Sequence, residues 1–254
     1  MTALITGSTS GIGLGIAKAF AAQGYNIVFN GLEPDGANIA KQVAEAAGIN
    51  YIFSAANMLQ PAAIRALAGE ALEKFDTIEV LVNNAGIQFV SPIEDFPEEK
   101  WDAIIGINLS AAFHLTKAIW PSMKAKKYGR VINIASAHGL VASEFKSAYV
   151  SAKHGLVGFT KTIALEGAEF GVTANSICPG YVHTPIVDKQ IPEQMKAHNM
   201  TKEEVVEKVF LDKQAIKQFN SIESIAQSAL FLASEAAATI TGIALSVDGG
   251  WTAQ

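Results

Sequence analysis

A single cysteine in 254 residues, Cys178, leaves no internal disulfide to form, and no cluster of Cys and His offers metal-ligand spacing. Charge is sparse as well, at 17% of residues, and acids outnumber bases 24 to 19 for a net charge of -5. A chain of this balance lacks the basic footprint that neutralises phosphates, so neither nucleic acid nor an anionic membrane is expected as its partner. Uninterrupted apolar runs are also missing. Although mean hydropathy is +0.25, charges and glycines break every stretch short of the roughly 20 residues a spanning helix needs. The N-terminus carries no basic leader, and Gly7 already opens a glycine loop, so no secretory signal is expected there. Together these absences point to a reducing, cytoplasmic setting.

What is present is a rhythm. β-type runs at 3–6, 26–29, 51–55, 80–83, 129–134, 173–177 and 243–247 alternate with helical patterns at 12–23, 36–47, 61–75, 98–123, 147–169 and 222–233. Such alternation predicts an α/β fold of the Rossmann type, with a seven-stranded, parallel, doubly wound sheet. Strands such as 131–134 are mainly apolar on both faces, as a sheet covered by helices requires. Half of the residues are hydrophobic, which suffices for one large core. No repeat or linker interrupts 1–254, so one domain is expected. Residues 186–216 break the rhythm. Val205, Val206, Val209 and Phe210 fall on one helical face there, while Glu203, Glu204 and Lys208 face solvent. An insertion this long at the carboxyl edge of a sheet is either a lid over a site or surface decoration, and the link between loops and function favours the lid.

The segment Thr6-Gly7-Ser8-Thr9-Ser10-Gly11-Ile12-Gly13 follows the first strand and opens a helix. Glycines there let the backbone turn tightly against a dinucleotide pyrophosphate, which the helix N-terminus attracts. After the second strand, an acid would bind an adenosine ribose 2′-hydroxyl and a base would attract a 2′-phosphate. The chain reads Asn30-Gly31-Leu32-Glu33-Pro34-Asp35. The usual acid position is Gly31, so the hydroxyl contact is unassigned. No base stands nearby, and repulsion of a 2′-phosphate by Glu33 and Asp35 favours NAD. Asn57, after the third strand, could meet an adenine edge. Small residues in Asn83-Asn84-Ala85-Gly86 would let a cofactor cross the sheet at the strand-order switch. Both stretches also suit plain turns.

Tyr149 and Lys153 are four apart on a helical pattern and share a face. Ser136 closes the strand before them, and Asn108 lies in the long helix before that. Alcohol oxidation needs a base, and a phenol of pKa about 10 is a poor one unless neighbouring positive charge favours phenolate. Lys153 takes that role, Ser136 orients the substrate oxygen, and Asn108 braces a proton relay. His138 falls on the same side as Ser136. With Gln88, Lys146 and Gln190 it could surround a small carboxylate.

These motifs resemble the short-chain dehydrogenase/reductase family over essentially the whole chain. The likeness rests on the glycine loop at 6–13, Asn-Asn-Ala-Gly at 83–86, and Asn108, Ser136, Tyr149 and Lys153. The turn Pro179-Gly180 with Thr184 also fits. The resemblance implies cofactor contacts from Gly7, Thr9, Gly11, Ile12 and Gly13, from Asn57, Asn84, Ala85 and Gly86, from Tyr149 and Lys153, and from Pro179, Gly180, Val182 and Thr184. Departures are the missing acid at Gly31, Asn57 where the family commonly has Asp, and a first strand almost at Met1.

Stretches 83–88, 93–97, 135–143 and 246–253 are similar to one group within the family, which oxidises (R)-3-hydroxybutyrate to acetoacetate with NAD. That likeness implies a hydroxy or keto acid substrate held by Gln88, Ser136, His138, Lys146, Tyr149 and Gln190, with Tyr181 and Trp251 shaping the pocket. Tyr181 stands where a tryptophan is expected. Competing readings are a 3-oxoacyl-thioester reductase using NADPH and a non-catalytic nucleotide-sensing scaffold. Apolar residues on several faces of the helices at 98–123 and 147–169 (Ile104, Ile107, Phe113, Val157, Phe159, Ile163) predict subunit packing, which resembles the family's homotetramer.

Overall fold

The computed structural model describes residues 1–183, 187, 191–192, 194–196 and 199–253. Seven strands form one parallel sheet: β1 (Thr2–Ile5), β2 (Asn26–Asn30), β3 (Tyr51–Ser54), β4 (Val80–Asn83), β5 (Gly129–Ile134), β6 (Val172–Pro179) and β7 (Ala244–Val247). Their order is β3-β2-β1-β4-β5-β6-β7. Because β1 pairs with both β2 and β4, consecutive connections leave it toward opposite sides. The carboxyl ends of β1 and β4 therefore flank a crevice, where sheets of this topology take their ligands.

Alternation along each strand explains the two helical layers. Ala3, Ile5, Ile27, Phe29, Val80 and Val82 pack with helices α1 (Gly11–Ala22), α2 (Gly36–Ala47) and the C-terminal helix Ile222–Ala233. Leu4, Val28, Leu81 and Val131 point to the other face, toward α3 (Pro61–Phe75), α5 (Ala111–Lys126) and α6 (Ser147–Gly167).

The expected helix at 98–123 is more complex. It begins as α4 (Glu98–Ile105), slips through a π-helical turn at Gly106–Ser110, and continues as α5. The slip turns Asn108 inward, where it is 2% exposed. Its Oδ1 accepts from the Ile87 N–H at 2.8 Å, and its Nδ2 donates to the Ile87 carbonyl at 2.9 Å. Glu98–Lys126 taken whole is long and apolar enough to cross a membrane by length and composition. Leu115, Ile119 and Met123 are instead in the core.

The subunit-packing residues need correction. Ile104, Val157 and Ile163 are buried within the single chain: Ile104 packs on Ala148 and Ala152 of α6, and Ile163 belongs to the core under the sheet. Apolar character on several faces of these helices is satisfied by the sheet and by their neighbours. Phe113 and Leu165 do remain exposed, at 44% and 80%.

Within 186–216, a short helix α7 (Lys202–Val205) starts at a capping box between Thr201 and Glu204 and passes into a π turn at Val206–Phe210. Val205 and Phe210 are buried with Val187, Ile191 and Leu211, against Tyr181 and Phe219.

Candidate active site

The glycine loop is built as its sequence demands. Gly7 and Gly11 adopt φ of +61° and +51°, a region open to glycine without steric cost. A Cβ on Gly13 would collide with the Gly7 carbonyl and with Asn84. Asn84 in turn donates its amide to the Thr6 and Gly7 carbonyls at 2.9 and 3.2 Å. The Thr6 hydroxyl oxygen accepts from the N–H groups of Asn84 and Ala85. The 83–86 segment is thus a clasp on the loop, with the Asn84 amide directed to backbone. Asn30, 2% exposed, ties the neighbouring turns together. It accepts from the Gly7 N–H and donates to the Ser54 and Ala56 carbonyls.

The first turn of α1 carries no side-chain cap and no acid, so its N–H groups remain for an anion. Gly11 faces open space. These features fit the pyrophosphate of a nicotinamide dinucleotide. Asn57 is turned differently from the adenine contact expected of it: its Oδ1 accepts from the Leu59 N–H at 2.9 Å, which closes a local Asx-type turn.

On the other side of the crevice, β5 ends at Ser136 and α6 runs past it. Lys153 is 4% exposed and donates to the Ile134 carbonyl at 2.7 Å. Its Nζ lies 5.6 Å from the centre of the Tyr149 ring. Burial pushes Lys153 down to about 8 and pushes the Tyr149 phenol up, while a hydrogen bond with Ser136 pulls the phenol back. A Cβ on Gly86 would stand 3.3 Å from Asn108 Oδ1 and 3.7 Å from Lys153 Nζ. Asn108, Gly86 and Lys153 therefore converge at one point.

A second group of residues adjoins Ser136. Its Oγ accepts from the His138 N–H at 3.1 Å, and His138 Nε2 pairs with the Ser143 hydroxyl at 2.9 Å. The His138 ring packs edge-on against Tyr149 and Trp251, with centres 6.0 and 5.0 Å apart. Trp251 stacks on Tyr181 at 5.7 Å, and the Lys146 ammonium lies 5.9 Å from the Tyr181 ring centre. Burial, then the charges of Lys146, Lys213 and His154, drives His138 down to about 3, so its imidazole is neutral. Burial and Lys213 also lower Lys146.

Ser136, His138, Lys146, Tyr149, Tyr181 and Trp251 are thus brought together. Gln88 is exposed on the loop after β4. Pro179 ends β6, the Gly180 N–H donates to the Val247 carbonyl at 3.0 Å, and Val182 bridges Asn220. Thr184 and Gln190 lie outside the described residues, as does part of 186–216.

Three contributors went unread in the sequence. Gln214, 1% exposed, accepts from the Tyr181 N–H and donates to the Ile216 and Gln218 carbonyls. Asp248 accepts from the N–H groups of Gly250 and Thr252 and from the Thr252 hydroxyl, which sets the turn bearing Trp251. The Asp-Gly-Gly after the last strand signals that turn. Lys213, 5.9 Å from the Trp251 ring centre, brings a further cation to the pocket.

Residues 1–195 match the family described as short chain dehydrogenase. The chain belongs to that family. It is 54% identical to a D-beta-hydroxybutyrate dehydrogenase of Rhizobium meliloti (strain 1021), across all of this chain and 99% of that one. It is 52% identical to a D-beta-hydroxybutyrate dehydrogenase of Cupriavidus necator, across 100% and 98%. Among solved structures it resembles an actinorhodin polyketide ketoreductase with NADPH. That likeness has a TM-score of 0.92 at 30% identity and covers 100% and 97% of the two chains. The protein is a short-chain oxidoreductase that uses a nicotinamide cofactor.

Proposed function

We propose that this protein oxidises (R)-3-hydroxybutyrate to acetoacetate, reversibly, with NAD. The observation that carries the reading is a cluster in which Ser136 and Tyr149 meet His138 and Trp251, with the Lys146 ammonium near the Tyr181 ring that stacks on Trp251. Ser136 donates to the substrate oxygen and holds it toward Tyr149. The phenolate of Tyr149 accepts the hydroxyl proton as the carbonyl forms, and Lys153 stabilises that phenolate by its charge. Bound NAD supplies the hydride acceptor. Asn108, beside Lys153 at Gly86, braces the path by which the proton leaves. Lys146 pairs with the carboxylate, and neutral His138 offers a hydrogen bond without adding charge. Gln88 and Gln190 complete the polar contacts.

The two bacterial relatives above 50% identity carry the name of this activity, which supports the substrate class. The competing NADPH ketoreductase reading draws on the actinorhodin likeness, but residues 8–35 contain one base only, Lys18, inside α1. We take residues 186–216 as a lid, because Phe210 packs edge-on against Tyr181 on the pocket wall. Exposed Phe113 and Leu165 on α5 and α6 suit packing between subunits of a homotetramer. A cytoplasmic location agrees with the lone buried thiol.

The test is a panel of short hydroxy acids of both hands, with NAD and NADP, on the wild type and Tyr149→Phe. The expected result is turnover confined to (R)-3-hydroxybutyrate and near analogues with NAD, and a loss of at least about 10²-fold in the variant. Equal turnover in the two proteins would remove the role given to Tyr149; binding of the dinucleotide with no turnover of any acid would leave a nucleotide-binding scaffold.

A further inference from the structure

The position where an NAD-selecting acid is expected holds Gly31, and the structure shows what took its place. A Cβ on Gly31 would overlap the Thr9 hydroxyl and stand 2.7 Å from Glu33 Oε2. No side chain fits there, because Glu33 reaches back over the glycine loop. Its Oε2 accepts from the Thr9 hydroxyl and its Oε1 from the Ser10 hydroxyl at 2.6 Å. Ser10 sits at the N-cap of α1, yet its side chain makes no cap hydrogen bond; it serves Glu33 instead. Asp35, the other nearby acid, accepts from Asn38 of its own helix.

We propose that Glu33 selects NAD over NADP by holding the two hydroxyls that a 2′-phosphate would otherwise use. The inference rests on the reading of the 6–13 loop as the dinucleotide site. Thr9 and Ser10 lie between the carboxyl ends of β1 and β2, on the side of the crevice that takes the adenosine half in this topology. Two hydroxyl donors beside uncapped helix N–H groups form an anion seat, and the protein's own carboxylate fills it. A carboxylate offers about four acceptor directions. Thr9 and Ser10 each take one direction, on separate oxygens, and a ribose 2′-hydroxyl, free in NAD and phosphorylated in NADP, can donate to the same carboxylate. A 2′-phosphate would meet a like charge and find its donors occupied. Partial burial alone would raise the Glu33 pKa. Hydrogen bonds from Ser10 and Thr9, with those from the Glu33 and Leu32 backbone, outweigh it and hold the carboxyl below its usual range, so the group is an anion at neutral pH.

The test is calorimetric titration of the full-length wild type, Glu33→Gln and Glu33→Ala. The probes are NADH, NADPH, 5′-ADP and 2′,5′-ADP, with circular dichroism confirming that each variant is folded. The wild type is expected to prefer NADH. Glu33→Ala should bind NADPH and 2′,5′-ADP about tenfold tighter or better, and NADH more weakly. Glu33→Gln, isosteric but uncharged, should fall between them. An unchanged NADH-to-NADPH ratio in both variants overturns the assignment while leaving the dinucleotide site intact. Failure of every protein to bind any of the four probes overturns the dinucleotide site, and this inference with it.

Discussion

Truncating Lys146 tests what holds the substrate carboxylate. Its ammonium lies 5.9 Å from the centre of the Tyr181 ring, which stacks on Trp251, and Trp251 packs on His138, whose N–H donates to Ser136. Burial and the charge of Lys213 already pull its pKa down, so an arriving anion relieves a repulsion as well as forming a contact. A hydrogen bond to a charged group contributes about 1.5–3 kcal/mol net. At about 1.4 kcal/mol per decade, Lys146→Ala should lose about 10- to 150-fold in kcat/KM for (R)-3-hydroxybutyrate. Lys213 bears electrostatically on both His138 and Lys146, and it retains part of the attraction, which places the expectation in the lower half of that range. The assay is steady-state kinetics at saturating NAD with the acid and with an uncharged secondary alcohol of the same chain length. The loss should appear chiefly in KM, and for the acid only. Equal losses on the two substrates would refute the role, because a structural defect ignores substrate charge.

His138 and Asn108 give two further expectations. His138 is held near 3 in the folded chain against 6.5 when free. Between those values the unfolded chain takes up a proton that the folded one refuses, so stability falls as pH drops from 6.5 toward 3. Thermal melts of the wild type and His138→Gln across that window should show a shallower decline for the variant, and parallel declines would contradict the buried, neutral imidazole. Asn108→Ala removes two hydrogen bonds to Ile87 and should cost about 1–3 kcal/mol in denaturant unfolding. An unchanged midpoint and slope would show that the π turn stands without them.

The parts of the site legible in the sequence are those set by local periodicity. Tyr149 and Lys153 share a helix face because four residues make about one turn, and Ser136 follows a strand whose end the apolar run marks. The parts that were hidden act across loops. Gln214 meets Tyr181 from 33 residues away, and no spacing rule connects them. The π turn at Gly106–Ser110 is a one-residue slip of hydrogen bonding, which leaves the apolar pattern of 98–123 nearly unchanged. Ile104, Val157 and Ile163 misled for the opposite reason. Periodicity reports that a face is apolar, and not whether sheet, helix or subunit covers it.

A common physical feature links four polar side chains around the site. Asn30, Asn84, Gln214 and Asp248 each satisfy several backbone groups at the carboxyl edge of the sheet. Loops there have no ladder of their own, and each unpaired buried backbone group would cost about 1–3 kcal/mol. Side chains that pair with them hold the glycine loop, Tyr181 and Trp251 in single positions. The mechanism proposed for Tyr149 and Lys153 requires that rigidity. Burial raises the one and lowers the other, so proton transfer depends on donors and charges already in place when the substrate arrives. The same logic applies to Glu33, whose carboxylate can discriminate between cofactors only while Thr9 and Ser10 hold it over the loop.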